Sequence, residues 1–96
     1  MVLHTLNAPA ASEAFQDCLR LAAAGDTILL LGDGVYNALA GSEGARALQA
    51  SAATVVVLAE DAAAAGLTDD GGAFDCIDMA GFVTLTETCP RQLAWY

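Results

Sequence analysis

Three short apolar runs constrain the fold of this 96-residue chain most: VLHTL (2–6), TILLL (27–31) and ATVVVLA (53–59). A strand with one wet face alternates apolar and polar residues. A run that stays apolar throughout is covered on both faces, as strands of a parallel sheet are. Helical spacing separates the runs. In EAFQDCLRLAAAG (13–25), Ala14, Phe15, Cys18, Leu19 and Ala22 recur at i, i+3 and i+4. Ser12 reads as the N-cap, Glu13 complements the helix dipole, and Gly25 reads as the C-cap. Residues 34–51 read as a helical segment broken at Gly41 and Gly44 and restarted at Ser42.

Further along, EDAAAAGL (60–67) predicts a short helix, TDDGG (68–72) a turn and AFDCID (73–78) a weaker fourth strand. MAGFVTLTETC (79–89) fits either a helix or an alternating strand. We assign a helix, because Phe82, Leu85 and Thr86 share one helical face and a β-α rhythm precedes it. Pro90 ends it, and LAWY forms a last strand or a tail. Strands alternating with helices predict one α/β domain over residues 1–96, with a mainly parallel sheet and right-handed crossovers.

Twelve acids face only Arg20, Arg46 and Arg91, giving a formal net charge of −9 with no lysine. Nucleic-acid binding requires clustered cations that displace counterions, so no direct nucleic-acid partner is expected. An anionic membrane is excluded on the same ground, and no apolar stretch is long enough for a span. The N-terminus lacks a basic region and a cleavage site, so a cytoplasmic location is expected. Three cysteines without a CxxC pair fit a reducing compartment and point away from disulfides and from zinc. Hydrophobic residues make up 56% of the chain, which favours apolar surface covered by other subunits.

The loop Gly32-Asp33-Gly34 follows the second run, at a strand's carboxyl end where α/β proteins place ligands. Asn37 stands where a dinucleotide fingerprint needs glycine, no Gly-Lys-Ser/Thr follows, and Asp33 repels phosphate. The favoured reading is a tight turn needing φ > 0, with Asp33 capping the next helix. The other is a loop packed backbone-close against a second protein chain. Cys18, on the apolar face of the first helix, reads as a small buried hydrophobe or as a sulfur-handling thiol. Cys76 reads as core. Cys89, next to Pro90, is expected to be exposed. His4 is the only histidine and reads as a satisfied buried or interface imidazole. Glu60 and Asp61 read as dipole-complementing acids of a helix start. No complete catalytic set emerges, and no metal or cofactor is expected.

The stretches LHTLN, GDTILLLGDGVYNAL, VVVLAEDAAAAGL and DMAGFVTLTE…P…LAW resemble the TusB/DsrH family in order and gaps across nearly the whole chain. The resemblance implies a small three-layer α/β sandwich around a mostly parallel sheet of four or five strands. It also implies a heterohexamer with two homologous sister subunits, one TusC/DsrF-like and one TusD/DsrE-like. Such a complex relays persulfide sulfur from small sulfur-carrier proteins. In the Tus branch the sulfur goes to 2-thiolation of the tRNA wobble uridine; in the Dsr branch (DsrEFH) it enters dissimilatory sulfur oxidation. The family's main carrier cysteine belongs to a sister, and AEDAAAAG has none at the corresponding loop. DCLR around Cys18 is similar to the DsrH form. Within this resemblance, His4, Gly32, Asp33, Gly34 and Tyr36 are expected in the structural loop or at the subunit contact.

Overall fold

A computed structural model describes residues 1–67 and 72–96. The turn expected at residues 68–72 falls, for 68–71, outside the described residues. Five strands form one sheet: β1 (Val2–Leu6), β2 (Thr27–Leu30), β3 (Thr54–Leu58), β4 (Asp75–Ile77) and β5 (Arg91–Trp95). Their order is β4-β3-β2-β1-β5, and every neighbouring pair is parallel. The two-sided apolar runs therefore lie where expected, with β1 and β2 the most deeply covered. The last strand begins earlier than LAWY indicates, at Arg91.

The helices follow local signals. In α1 (Glu13–Leu21) the Ser12 hydroxyl accepts from the Phe15 N–H at 3.2 Å. In α2 (Glu43–Gln49) the Ser42 hydroxyl does the same for Ala45 at 3.1 Å. In α4 (Met79–Thr88) the Asp78 carboxylate accepts from Gly81 at 2.8 Å, which resolves the ambiguity of residues 79–89 in favour of helix. The short α3 spans Ala59–Ala64. Two expectations are corrected. Gly25 does not cap α1, which ends at Leu21; its φ of +91° serves the following turn. The segment after β2 starts as a 3-10 helix, Gly32–Ala38, before α2 takes over.

The layers follow from the connections. Crossovers from β1 to β4 all move one way across the sheet, so right-handedness puts their helices on one face. There Phe15 and Cys18 of α1, Val35 and Ala38 of the 3-10 helix, Leu48 of α2 and Ala62 of α3 pack on Leu6, Ile28, Leu30 and Val57. The return from β4 to β5 runs the other way, which puts α4 on the opposite face. Its Phe82 and Leu85 pack there with Leu3, Leu29 and Leu58. The result is a three-layer sandwich, as expected.

The Gly32-Asp33-Gly34 turn closes the carboxyl end of the sheet within this chain. Positive φ falls on Gly32, at +53°, and not on Gly34. What requires glycine at 34 is space: a Cβ there would run into the Leu6 carbonyl of β1. The loop thus packs backbone-close against its own first strand. A Gly34→Ala chain should lose about 3 kcal/mol of stability, because backbone cannot move aside cheaply. Gly25→Ala, with nothing near the added carbon, should lose only about 1 kcal/mol through its left-handed φ. Urea denaturation of both variants tests the contrast; equal losses would refute it.

Candidate functional site

Two polar clusters tie opposite ends of β1. At the amino end, Asp26 sits in the turn before β2 and is 6% exposed. Its Oδ1 accepts from the Val2 N–H at 2.9 Å, and its Oδ2 accepts from the Ala23 N–H at 3.0 Å. The same Oδ2 lies 3.1 Å from His4 Nε2. Trp95 of β5 donates its indole N–H to His4 Nδ1 at 3.1 Å, and the two rings stack with centroids 6.3 Å apart. An indole N–H only donates, so Nδ1 must accept and the imidazole proton sits on Nε2, facing Asp26. Both ring nitrogens are thereby spent. His4, 1% exposed, matches its expected role as a satisfied buried imidazole and has no free nitrogen for a substrate.

The Ala23 backbone bond, then the His4 bond, hold the Asp26 carboxyl down to about 2 from an ordinary 3.8, with burial opposing them. Asp26 and Trp95 carry this cluster, and the sequence reading singled out neither. Asp26 lies just before the run TILLL, inside the stretch GDTILLLGDGVYNAL. Its one visible signal is an acid placed directly before a fully buried strand, in a chain with a single histidine.

At the carboxyl end, the Gly32–Gly34 loop is held by two side chains from other elements. Asn7, just past β1, accepts the Asp33 N–H on Oδ1 at 2.9 Å. Asp61, in the first turn of α3, accepts the Gly32 N–H at 2.7 Å. The expected cap by Asp33 is corrected: the 3-10 helix has no side-chain cap bond, because Asn7 and Asp61 already occupy the loop amides. Those amides point at carboxylate and carboxamide oxygens, so they are not available as a phosphate cradle. Asn37, in the position that excludes a dinucleotide fingerprint, is buried and donates to the Ala8 carbonyl at 2.8 Å. Tyr36, 49% exposed, stands with Asp33 between two shallow hollows. One, of about 220 Å³, is bordered by Gly32, Asp61 and Ala65; the other, of about 440 Å³, by Pro9, Asn37 and Ser42. An apolar hollow of about 270 Å³ at Leu39 and Leu67 lies among none of these polar groups.

The thiols are placed differently from a reactive set. Cys18 is fully buried in the core with Phe15 and Leu48, and burial pushes its thiol up to about 12. A thiol there is almost wholly protonated at neutral pH, and the thiolate is the nucleophile. Cys89, expected at the surface, is instead buried against Leu3 and Leu29. Pro90 follows it and ends the helix, and the cysteine packs inward as the last helix residue's neighbour. Cys76 is half-buried on β4.

With this geometry in hand, comparison with known proteins places the chain. The family described as "DsrH like protein" matches residues 7–92. Protein TusB of Pectobacterium parmentieri is 40% identical over 95 residues, covering 98% of this chain and all of that one. Protein TusB of Escherichia coli is 39% identical over 95 residues, with the same coverage. The chain belongs to the DsrH-like family, whose relatives here carry the name TusB. The crystal structure of the YchN protein of Escherichia coli superposes with a TM-score of 0.77 at 18% identity, over 98% of this chain and 97% of that one; it shares the fold. Among the described residues, no helix is long and apolar enough to cross a membrane.

The Asp26 cluster makes a prediction with a defined sign. The folded-state value lies below the ordinary one, so the stabilisation is fully present above about pH 4 and fades as pH falls toward 2. Asp26→Asn turns an amide group toward donors and should cost about 1.5–3 kcal/mol at neutral pH. Urea titrations at several pH values should show the native chain losing stability between pH 4 and 2 more steeply than the variant. Parallel pH profiles would remove Asp26 from this role.

Proposed function

We propose that this chain is a non-catalytic subunit of a cytoplasmic sulfur-relay complex that supports 2-thiolation of the tRNA wobble uridine. It assembles with a TusC-like and a TusD-like sister into a heterohexamer, and sulfur-carrier proteins meet the complex rather than this chain alone. The observation that carries the reading is full-length similarity to TusB proteins at 39–40% identity. The thiols support it. A persulfide carrier must reach its donor as a thiolate, whereas Cys18 is sealed in the core with its proton held. Burial likewise speaks against the alternative in which Cys18 handles sulfur in a DsrEFH-type oxidation complex. The persulfide then travels on a sister, and this subunit contributes shape and contact.

Native mass spectrometry of the chain co-expressed with the two sisters should give a hexamer holding two copies of each. Deleting its gene should abolish 2-thiouridine derivatives in total tRNA nucleosides. Within the assembled complex, Cys18→Ala should leave sulfur loading and transfer unchanged. A roughly tenfold loss in transfer at unaltered assembly would make Cys18 a participant.

A further inference from the structure

The helix α4 is built for a dry neighbour that the isolated chain does not supply. From Met79 to Thr86 it carries no charge. Phe82 and Leu85 face the sheet, yet Met79 and Val83, one turn apart on another face, are each 50% exposed. None of its residues is fully buried. Large apolar side chains on two faces of one helix call for cover on both. Its polar side chains agree. Thr84, Thr86 and Thr88 turn their hydroxyls back onto the Ala80, Val83 and Thr84 carbonyls at 2.7–3.1 Å. Their donors are spent within the helix, so covering them leaves no orphaned hydroxyl proton.

The rim carries the second constraint. Asp75 on β4, Asp78 at the N-cap of α4 and Glu87, one turn beyond Val83, are all exposed. Arg91, the next cation in the chain, pairs with Val2 in register, and alternation turns it to the other sheet face with His4 and Trp95. A second copy would bring the same acids, adding another −9 to −9. Like charges facing across an interface oppose association.

We propose that the outer face of α4, centred on Met79 and Val83, is the docking surface for a sister subunit whose contact is apolar at its centre and rimmed by Lys or Arg. The inference rests on the relay-complex reading and adds to it the surface and the chemistry of the partner.

The test uses the chain co-expressed with both sisters and weighed by native mass spectrometry. Val83→Glu and Met79→Glu should each lower the share of this chain found in complex roughly tenfold. Leu21→Glu, at an exposed apolar site on α1, should leave it unchanged. Circular dichroism and thermal melting of each purified variant report folding. Should either glutamate variant fail to fold, Val83→Ser and Met79→Ser take its place with the same expected direction. A native complex that survives all α4 variants overturns the docking surface while leaving the relay reading intact. A native chain that never joins the sisters overturns both. A homodimer of the native chain dispersed by Val83→Glu overturns the choice of partner. Raising salt should lengthen the time to assembly if the basic rim steers the encounter; assembly rates indifferent to salt would refute the rim.

Discussion

The turn carboxylate of Asp26 is the interaction on which the joining of β2, β1 and β5 depends. A parallel sheet has no hairpins to fix its register, so each strand must be anchored by something remote in sequence. Asp26 precedes β2, yet it accepts the amide of Val2 at the start of β1 and reaches Trp95 of β5 through His4. One buried charge thereby links β2 to β1 directly and to β5 through His4. A buried carboxylate is costly unless donors replace its water. Here two backbone amides and an imidazole do so, and no buried side-chain nitrogen or oxygen among the described residues lacks a partner.

The carboxyl end of β1 is fixed by close approach rather than by charge. Gly34 comes so near the Leu6 carbonyl that a side chain has no room, and Asn7 and Asp61 satisfy the loop amides. This is the end at which α/β proteins bind ligands. The same interactions that make the turn also use up the groups a phosphate would need. A fold with a ready ligand position has been closed there by its own side chains, which fits a subunit whose Cys18 and Cys89 are buried as well.

What was legible in the sequence was local. The apolar runs gave three strands, Ser12 and Ser42 announced the starts of α1 and α2, and the alternation of elements gave the parallel sheet. The polar ties were not legible, because each joins residues far apart: Asn7 to Asp33, Asp61 to Gly32, His4 to Asp26 and Trp95. A lone Asp or Asn beside a strand looks the same whether it caps its own turn or reaches across the sheet. For that reason Asp33 reads as the cap of the next helix, while Asn7 and Asp61 take the loop amides. The burial of Cys89 is illegible for a related reason: the proline that ends α4 says nothing of which way the preceding side chain points. Family resemblance supplied the three layers and the relay role, which residue patterns alone did not reach.

The thin side of the sandwich follows from topology. Three crossovers in one direction place α1, the 3-10 helix, α2 and α3 over one sheet face, and a single return places only α4 over the other. On that second face, Gln92 and Ala94 of β5 share the side of Leu3 and Thr5 through their register, and both are exposed. One helix of ten residues is narrower than a five-stranded sheet, since strands lie about 4.8 Å apart and a helix is about 10 Å across. A longer chain could add a helix there. This one makes α4 apolar on its outer side as well, which gives no benefit to a solitary domain and exposes it to nonspecific association. The high acidity offsets that hazard by keeping copies apart. Apolar surface and surplus negative charge, unrelated as compositional facts, are thus complementary: one demands a cover, and the other restricts which protein can provide it.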